Sequence, residues 1–160
     1  FNDAWSENWK LVPFAQREIE PAAASMNPLI DPDLVVIAEI DNEVAGMLVC
    51  LPNLLEAARD LDGSLLPFGF AKLLWRLKRK TLKTARVPLM GIRKKYHGTL
   101  TGAALLPLMF HRLKGPFFAR GLEQVELGWI LEDNLPMRRV LEGIGAKVYK
   151  THRVYEKAIA

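Results

Sequence analysis

Apolar residues fall along this chain in two kinds of run, short β-branched stretches and longer stretches with a period near 3.6. Their order predicts strands interleaved with helices. Phe1–Trp9 reads as a short helix, Lys10–Phe14 as a strand and Ala15–Met26 as a helix broken at Pro21. Leu34–Ile40 and Val44–Leu51 flank the polar turn Asp41-Asn42-Glu43, a hairpin pattern. Pro52–Leu61 and Pro67–Lys83 predict two helices joined by Asp62-Gly63-Ser64, with Phe70, Leu73, Leu74 and Leu77 forming the stripe of the second. Then come a strand at Arg86–Arg93, a helix at Thr101–Lys114 that Pro107 should kink or whose start it should displace, and a strand at Glu123–Leu131. A helix at Asn134–Ile144 and a closing strand at Lys147–Lys157 complete the chain. Asn134 suits an N-cap, Pro136 a first turn and Gly145 the position after the last turn. The strand–helix–strand unit from Arg86 to Leu131 should be a right-handed parallel crossover, and the hairpin is antiparallel. The expected fold is therefore α+β, a mixed, mostly antiparallel central sheet with helices on both faces.

Size and composition narrow the class. At 160 residues, half of them hydrophobic, the chain suffices for a single domain with a core, residues 1–160. The one cysteine, Cys50, lies in an apolar run and reads as a buried small hydrophobe; with no internal disulfide available, a cytoplasmic setting is expected. No apolar run reaches the length that spans a bilayer. Because the sequence opens on Phe1 rather than methionine, it is expected to be the C-terminal half of a longer chain. A second domain upstream, or a homodimer, would complete the assembly.

Charge changes the picture more. Between Asp62 and Glu123 there is no acidic residue, while the tract carries thirteen Lys and Arg. Such asymmetry points to a localised anionic partner. Within it, PLMGIRKKYHGTLTGAALLPLMFHRL runs from an apolar strand through a basic loop of small residues into an apolar helix. The first turn of a helix leaves N–H groups unpaired beside a partial positive charge, which suits a phosphate. Gly98 and Gly102 permit close approach, Thr99 and Thr101 add hydroxyls, and Arg93, Lys94 and Lys95 add charge.

These residues, with the tail EDNLPMRRVLEGIGAKVYK, resemble the GCN5-related N-acetyltransferases, as a divergent bacterial-type member. The resemblance covers the chain from about Leu34 onward. It implies acetyl-CoA or another acyl-CoA as co-substrate and an amine-bearing acceptor. Gly91, Ile92 and Arg93 would line the pantetheine arm, and His97, Gly98, Thr99, Leu100, Thr101, Gly102 and Ala103 would form the pyrophosphate loop. Asn134 resembles the asparagine that helps hold the arm or thioester. Three positions depart from the family pattern: His97 stands where the loop opens on Arg or Gln, Leu100 replaces its middle glycine, and Leu141 replaces a tyrosine that protonates the leaving thiolate. Tyr149 is the candidate substitute. An alternative keeps the fold without the chemistry, as a degenerate binding or scaffolding domain.

Amine attack on a thioester needs a base and donors for the developing oxyanion. Glu126, alternating with Val125 and Leu127 on its strand, is the base candidate, and the N–H groups of Gly91 and Ile92 are the donor candidates. His97, His111 and His152 have no companion ligands at metal spacing, so no metal site is expected. No nucleic acid is expected either, because the basic tract lacks the aromatic interleaving that stacks bases. Residues 52–83 form a helical insertion placed to shape an acceptor pocket. The basic residues across 70–83 read first as a solvated face, with peripheral contact to an anionic membrane as the lesser alternative.

Overall fold

The computed structural model describes residues 30–64, 66–79 and 81–157, with scattered positions between 15 and 27. The strand expected at 10–14 and the helix at 1–9 lie outside the described residues. Within 15–26 the described positions Arg17, Glu18, Glu20, Pro21 and Ala24 are helical. The chain forms two compact units, Phe1–Trp129 and Ile130–Ala160.

The first unit is built on a four-stranded sheet, β1 (Val35–Ile40), β2 (Glu43–Pro52), β3 (Thr84–Ile92) and β4 (Gln124–Leu127), in that spatial order. β1–β2 and β2–β3 are antiparallel and β3–β4 is parallel, so the sheet is mixed and mostly antiparallel as expected. The β1–β2 turn is tight because Asp41 and Asn42 both take positive φ, 52° and 62°, the geometry whose twist matches a hairpin and which Asp and Asn tolerate. Between β2 and β3 lie a single turn α1 (Leu54–Ala57) and the helix α2 (Gly69–Lys78), both shorter than expected. A 3-10 turn, Lys94–Tyr96, leads from β3 into α3 (Leu100–Ala119).

α3 is one continuous helix with Pro107 and Pro116 inside it, and its start at Leu100 is not displaced by Pro107. An interior proline costs about 3 kcal/mol or more in helix hydrogen bonding. Against that, α3 buries Gly102, Leu105, Leu106, Met109, Leu113 and Phe117 as one stripe, packed on β1, β2 and β3. With Leu34, Leu48 and Cys50 fully buried beneath, the core between sheet and helix outweighs the local loss. Cys50 is sealed there, and burial pushes its thiol up to about 12. The far end of α3 is held by Arg120, whose guanidinium reaches Asp31 (2.5 Å) and Asp33 (2.7 Å) ahead of β1.

The register of β3 decides the shape of its free edge. Between the pairs Val49–Leu89 and Leu51–Arg86, β2 contributes Cys50 alone while β3 contributes Val87 and Pro88. This is a β-bulge, and it accommodates a proline in a central strand, where the missing N–H would otherwise break the ladder. The parallel ladder with β4 stops at the same place, at Val87–Leu127. From Pro88 to Ile92 the β4 side of β3 has no partner strand among the described residues.

Glu56 clamps the start of β3. Its carboxylate accepts from the amides of Lys83 (2.9 Å) and Thr84 (2.8 Å) and from the Thr84 hydroxyl, while Asn53 binds the same hydroxyl through Nδ2 (3.0 Å). Burial raises the Glu56 pKa, but the hydrogen bonds from Thr84 and Lys83 outweigh it and hold the carboxyl below its ordinary range.

In the second unit, α4 (Leu135–Gly143) starts where Asn134 Oδ1 accepts from Met137 N at 3.3 Å and ends with Gly145 at φ 93°. The closing strand expected at Lys147–Lys157 is not formed, and those residues have no regular secondary structure. Alternation alone does not make a strand; a neighbouring edge must supply the hydrogen bonds.

Replacing Glu56 by Gln should lower stability to urea by about 1 kcal/mol at neutral pH. The depressed pKa means that this contribution is present above the unfolded glutamate value, about 4.3, and is lost as pH falls through the lower folded value. Urea unfolding of both proteins at neutral and acidic pH checks this, with the gap closing in acid.

Candidate functional site

The turn between β3 and α3 brings His97 to Ala103 together at the end of the open edge. Most of its amides are spent on the turn itself. Tyr96 N donates to Arg93 O (3.0 Å), His97 N to Lys94 O (2.9 Å), Thr99 N to Tyr96 O (3.3 Å) and Ala103 N to Thr99 O (3.0 Å). Thr99 is the N-cap: its hydroxyl accepts from Gly102 N at 3.0 Å and donates to Tyr96 O at 2.8 Å. The amides of Gly98, Leu100 and Thr101 are left without partners among the described residues. These are the donors expected before the first bonded residue of a helix, here at the head of a twenty-residue helix.

Two glycines make that turn possible for different reasons. Gly98 takes φ +70°, the left-handed region that a side chain disfavours. A Cβ on Gly102 would stand 2.0 Å from Tyr96 O, so only glycine lets the helix start against that carbonyl. Leu100, the departure from the family loop, is 92 % exposed and helical. Its side chain points into solvent and its N–H remains available, so the position does not require glycine.

The loop cations are not free to meet an anion as the charge count alone suggests. Glu43, at the start of β2, pairs with Lys95 at 2.5 Å and Arg93 at 3.3 Å. The hydrogen bond and charge of Lys95, with the charge of Arg93, hold the Glu43 carboxyl below its ordinary range. Elsewhere in the acid-free tract, Lys72 and Arg76 pair with Asp60, Lys83 with Glu123, and Arg120 with Asp31 and Asp33. Acids outside the tract thus neutralise much of it. His97 Nε2 lies 3.1 Å from Ile92 O, so the ring is tied to the end of β3 and donates there in the tautomer carrying that proton.

Strand polarity corrects the donor assignment. Arg93 N donates to Ala45 O at 2.8 Å, which fixes Arg93 as a bonded pair with β2. Bonded and non-bonded pairs alternate along an antiparallel ladder. Gly91 therefore turns its N–H and C=O toward β2, and Met90 and Ile92 turn theirs to the open edge. Met90, not Gly91, joins Ile92 as an edge donor.

Glu126 sits directly across the parallel ladder from Arg86, with Arg86 Nη2 3.9 Å from its Oε1. Arg86 also stacks on the Trp129 ring, 5.7 Å from its centroid, and its buried Nε has no partner. The sequence did not single out Arg86, Met90 or Glu43; only the register between strands brings them to the site. Asn134 and Tyr149 belong to the second unit. Asn134 spends its side-chain oxygen on the helix cap. Leu141, at the tyrosine position, is 3 % exposed and packs as core. Tyr149 is 64 % exposed, with the Lys150 ammonium 5.3 Å from its ring. Among the described residues no cluster of His, Cys, Asp and Glu has metal-binding geometry. A depression of about 200 Å³ between β1 and α3, lined in part by Val36, Arg112 and Pro116, contains none of the candidate residues.

A polyphosphate anion should therefore bind at the turn in competition with Glu43. Calorimetric titration with inorganic pyrophosphate should show binding tightened about threefold to tenfold by Glu43→Gln, since that change removes a like charge and releases two cations. Gly102→Ala should abolish the binding by displacing the turn.

No family model matches the chain. It is 46 % identical over 159 residues to protein YghO of Escherichia coli and 47 % identical over 158 residues to the bacterial ceramide synthase of Caulobacter vibrioides. Each alignment covers 99 % of this chain and 41 % of the relative, so the chain spans about two fifths of the length of either protein. Among solved structures, AAC(6')-Iy bound to a CoA-containing bisubstrate analogue superposes with a TM-score of 0.54 at 9 % identity, covering 99 % of this chain and 86 % of that one. Glucosamine-6-phosphate N-acetyltransferase from Arabidopsis thaliana superposes with a TM-score of 0.52 at 11 % identity, covering 98 % and 89 %. The superpositions cover nearly the whole chain, and the chain has the fold of the GCN5-related N-acetyltransferases.

Proposed function

We propose that this chain binds acyl-CoA and serves in transfer of the acyl group to an amine, the acceptor being a long-chain amino alcohol of the sphingoid class. The observation that carries the reading is the coincidence of three unpaired amides at the head of α3 with an unpaired edge on β3 immediately before it. A diphosphate fits the amides of Gly98, Leu100 and Thr101. An arm containing two amides fits the edge N–H and C=O of Met90 and the N–H of Ile92, whose carbonyl is held by His97, as a short extra strand would. The acceptor class is supported by the similarity to the Caulobacter ceramide synthase, since a ceramide is a long-chain amino alcohol acylated on nitrogen.

The lengths agree. A pantetheine arm is about as long as five residues of extended chain, roughly 16 Å. From the turn it reaches back along β3 to the bulge at Val87 and Pro88. The thioester then lies where β3 and β4 part, close to the ladder position of Glu126. In this reading Glu126 takes a proton from the acceptor ammonium to free the attacking neutral amine, or from the nitrogen of the tetrahedral intermediate, and Arg86 orients its carboxylate. Attack forms the C–N bond, collapse breaks the C–S bond, and CoA leaves as the thiol or thiolate.

A second reading, CoA binding without turnover, draws support from Leu141 being buried core and Tyr149 being exposed, which leaves the thiolate without an assigned proton donor. One experiment separates the two. Calorimetry with acetyl-CoA and longer acyl-CoAs, followed by a free-thiol assay with sphinganine as acceptor, should show micromolar-range binding and amine-dependent thiol release. Glu126→Gln should then cut turnover about a hundredfold with acyl-CoA affinity unchanged. Binding without thiol release supports the second reading, and no binding at millimolar acyl-CoA overturns both.

A further inference from the structure

We infer that the segment from Leu66 to Arg79 is a contact surface for an anionic lipid bilayer. This goes beyond the acyl-transfer reading and does not require it. α2 is amphipathic, yet none of its residues is buried. Within ten positions the chain exposes Leu66 (81 %), Phe68 (79 %), Phe70 (55 %) and Trp75 (52 %). Single exposed apolar residues are ordinary, but this density of aromatics in one segment marks an interaction surface.

The charges around it identify the partner. Lys78 and Arg79 are exposed, and neither has a carboxylate within ion-pairing distance among the described residues. Arg79 lies against the Trp75 ring, 4.8 Å from its centroid, which gives an aromatic body with a cationic rim. The nearest carboxylates in sequence, Asp60 and Asp62, both precede the segment. Asp60 is already paired with Lys72 and Arg76, whose hydrogen bonds hold it far below its ordinary range. The segment itself carries no acidic residue. Exposed Phe and Trp beside unpaired Lys and Arg are the composition of an element lying in the headgroup region, aromatics inserted and cations at the phosphate level. No helix among the described residues is long and apolar enough to cross a membrane, so the contact is peripheral.

Sedimentation of the full chain with vesicles tests this, using phosphatidylcholine alone and phosphatidylcholine mixed with phosphatidylglycerol. The chain should pellet with the anionic vesicles and only weakly with the neutral ones. Phe68→Ser with Phe70→Ser should lower partitioning about tenfold, and Lys78→Glu with Arg79→Glu by at least about tenfold. A charge-matched control, Lys147→Glu with Lys150→Glu, should change it less than about twofold. Circular dichroism and thermal unfolding identical to the parent confirm that each variant is folded. Absence of binding to anionic vesicles overturns the inference, as does an equal loss in the control. Loss of self-association in the Phe variants, without any vesicle binding, would assign the surface to a second copy of the chain instead.

Discussion

The anion site of the first unit depends on how closely α3 begins against the end of β3. The Tyr96 carbonyl sits where a Cβ of residue 102 would be, so glycine there sets the approach. Thr99 then caps the helix and spends its hydroxyl inside the turn. The consequence is a division of labour among backbone amides. Four are consumed in the turn, together with the amide Thr99 caps, and three at Gly98, Leu100 and Thr101 are left without partners among the described residues. A looser turn would expose more donors but hold none of them in place, and preorganised donors are what an anion site needs.

The second element of the site follows from a proline. Pro88 has no N–H for a ladder, β3 bulges at Val87 and Pro88, and the parallel ladder with β4 ends at the same point. The bulge converts a central strand into one with a free edge over its last residues, next to the donors at the helix head. A long, narrow ligand with an anionic end and amides along its length matches that combination. The acyl-transfer proposal rests on this match and on the similarity to longer proteins of which this chain covers a part.

Much of the fold was readable from the chain, because short β-branched runs, the Asp41-Asn42 turn and the Asn134 and Gly145 caps are local signals. The parallel β3–α3–β4 unit was readable for the same reason. What failed was non-local. The closing strand expected at 147–157 has the right alternation but forms no ladder with any strand among the described residues. α3 continues through Pro107 because a buried stripe from Gly102 to Phe117 outweighs one lost bond. At the site, the glycines and threonines of the loop were legible, whereas Glu43 reaches Arg93 and Lys95 only through the β2–β3 register. The charge count overstated the free positive charge for that reason: the acid-free tract is met by acids from elsewhere in the chain. The choice of Met90 over Gly91 likewise depends on which ladder pairs are bonded, which no sequence pattern states.

The central claim concerns three particular N–H groups, and it can be read at each of them. Titration of the isotope-labelled chain with CoA, followed by backbone amide NMR, should move the resonances of Gly98, Leu100 and Thr101 together, with those of Met90 and Ile92 following the arm. Binding that leaves these three amides unmoved while shifting others would contradict the account.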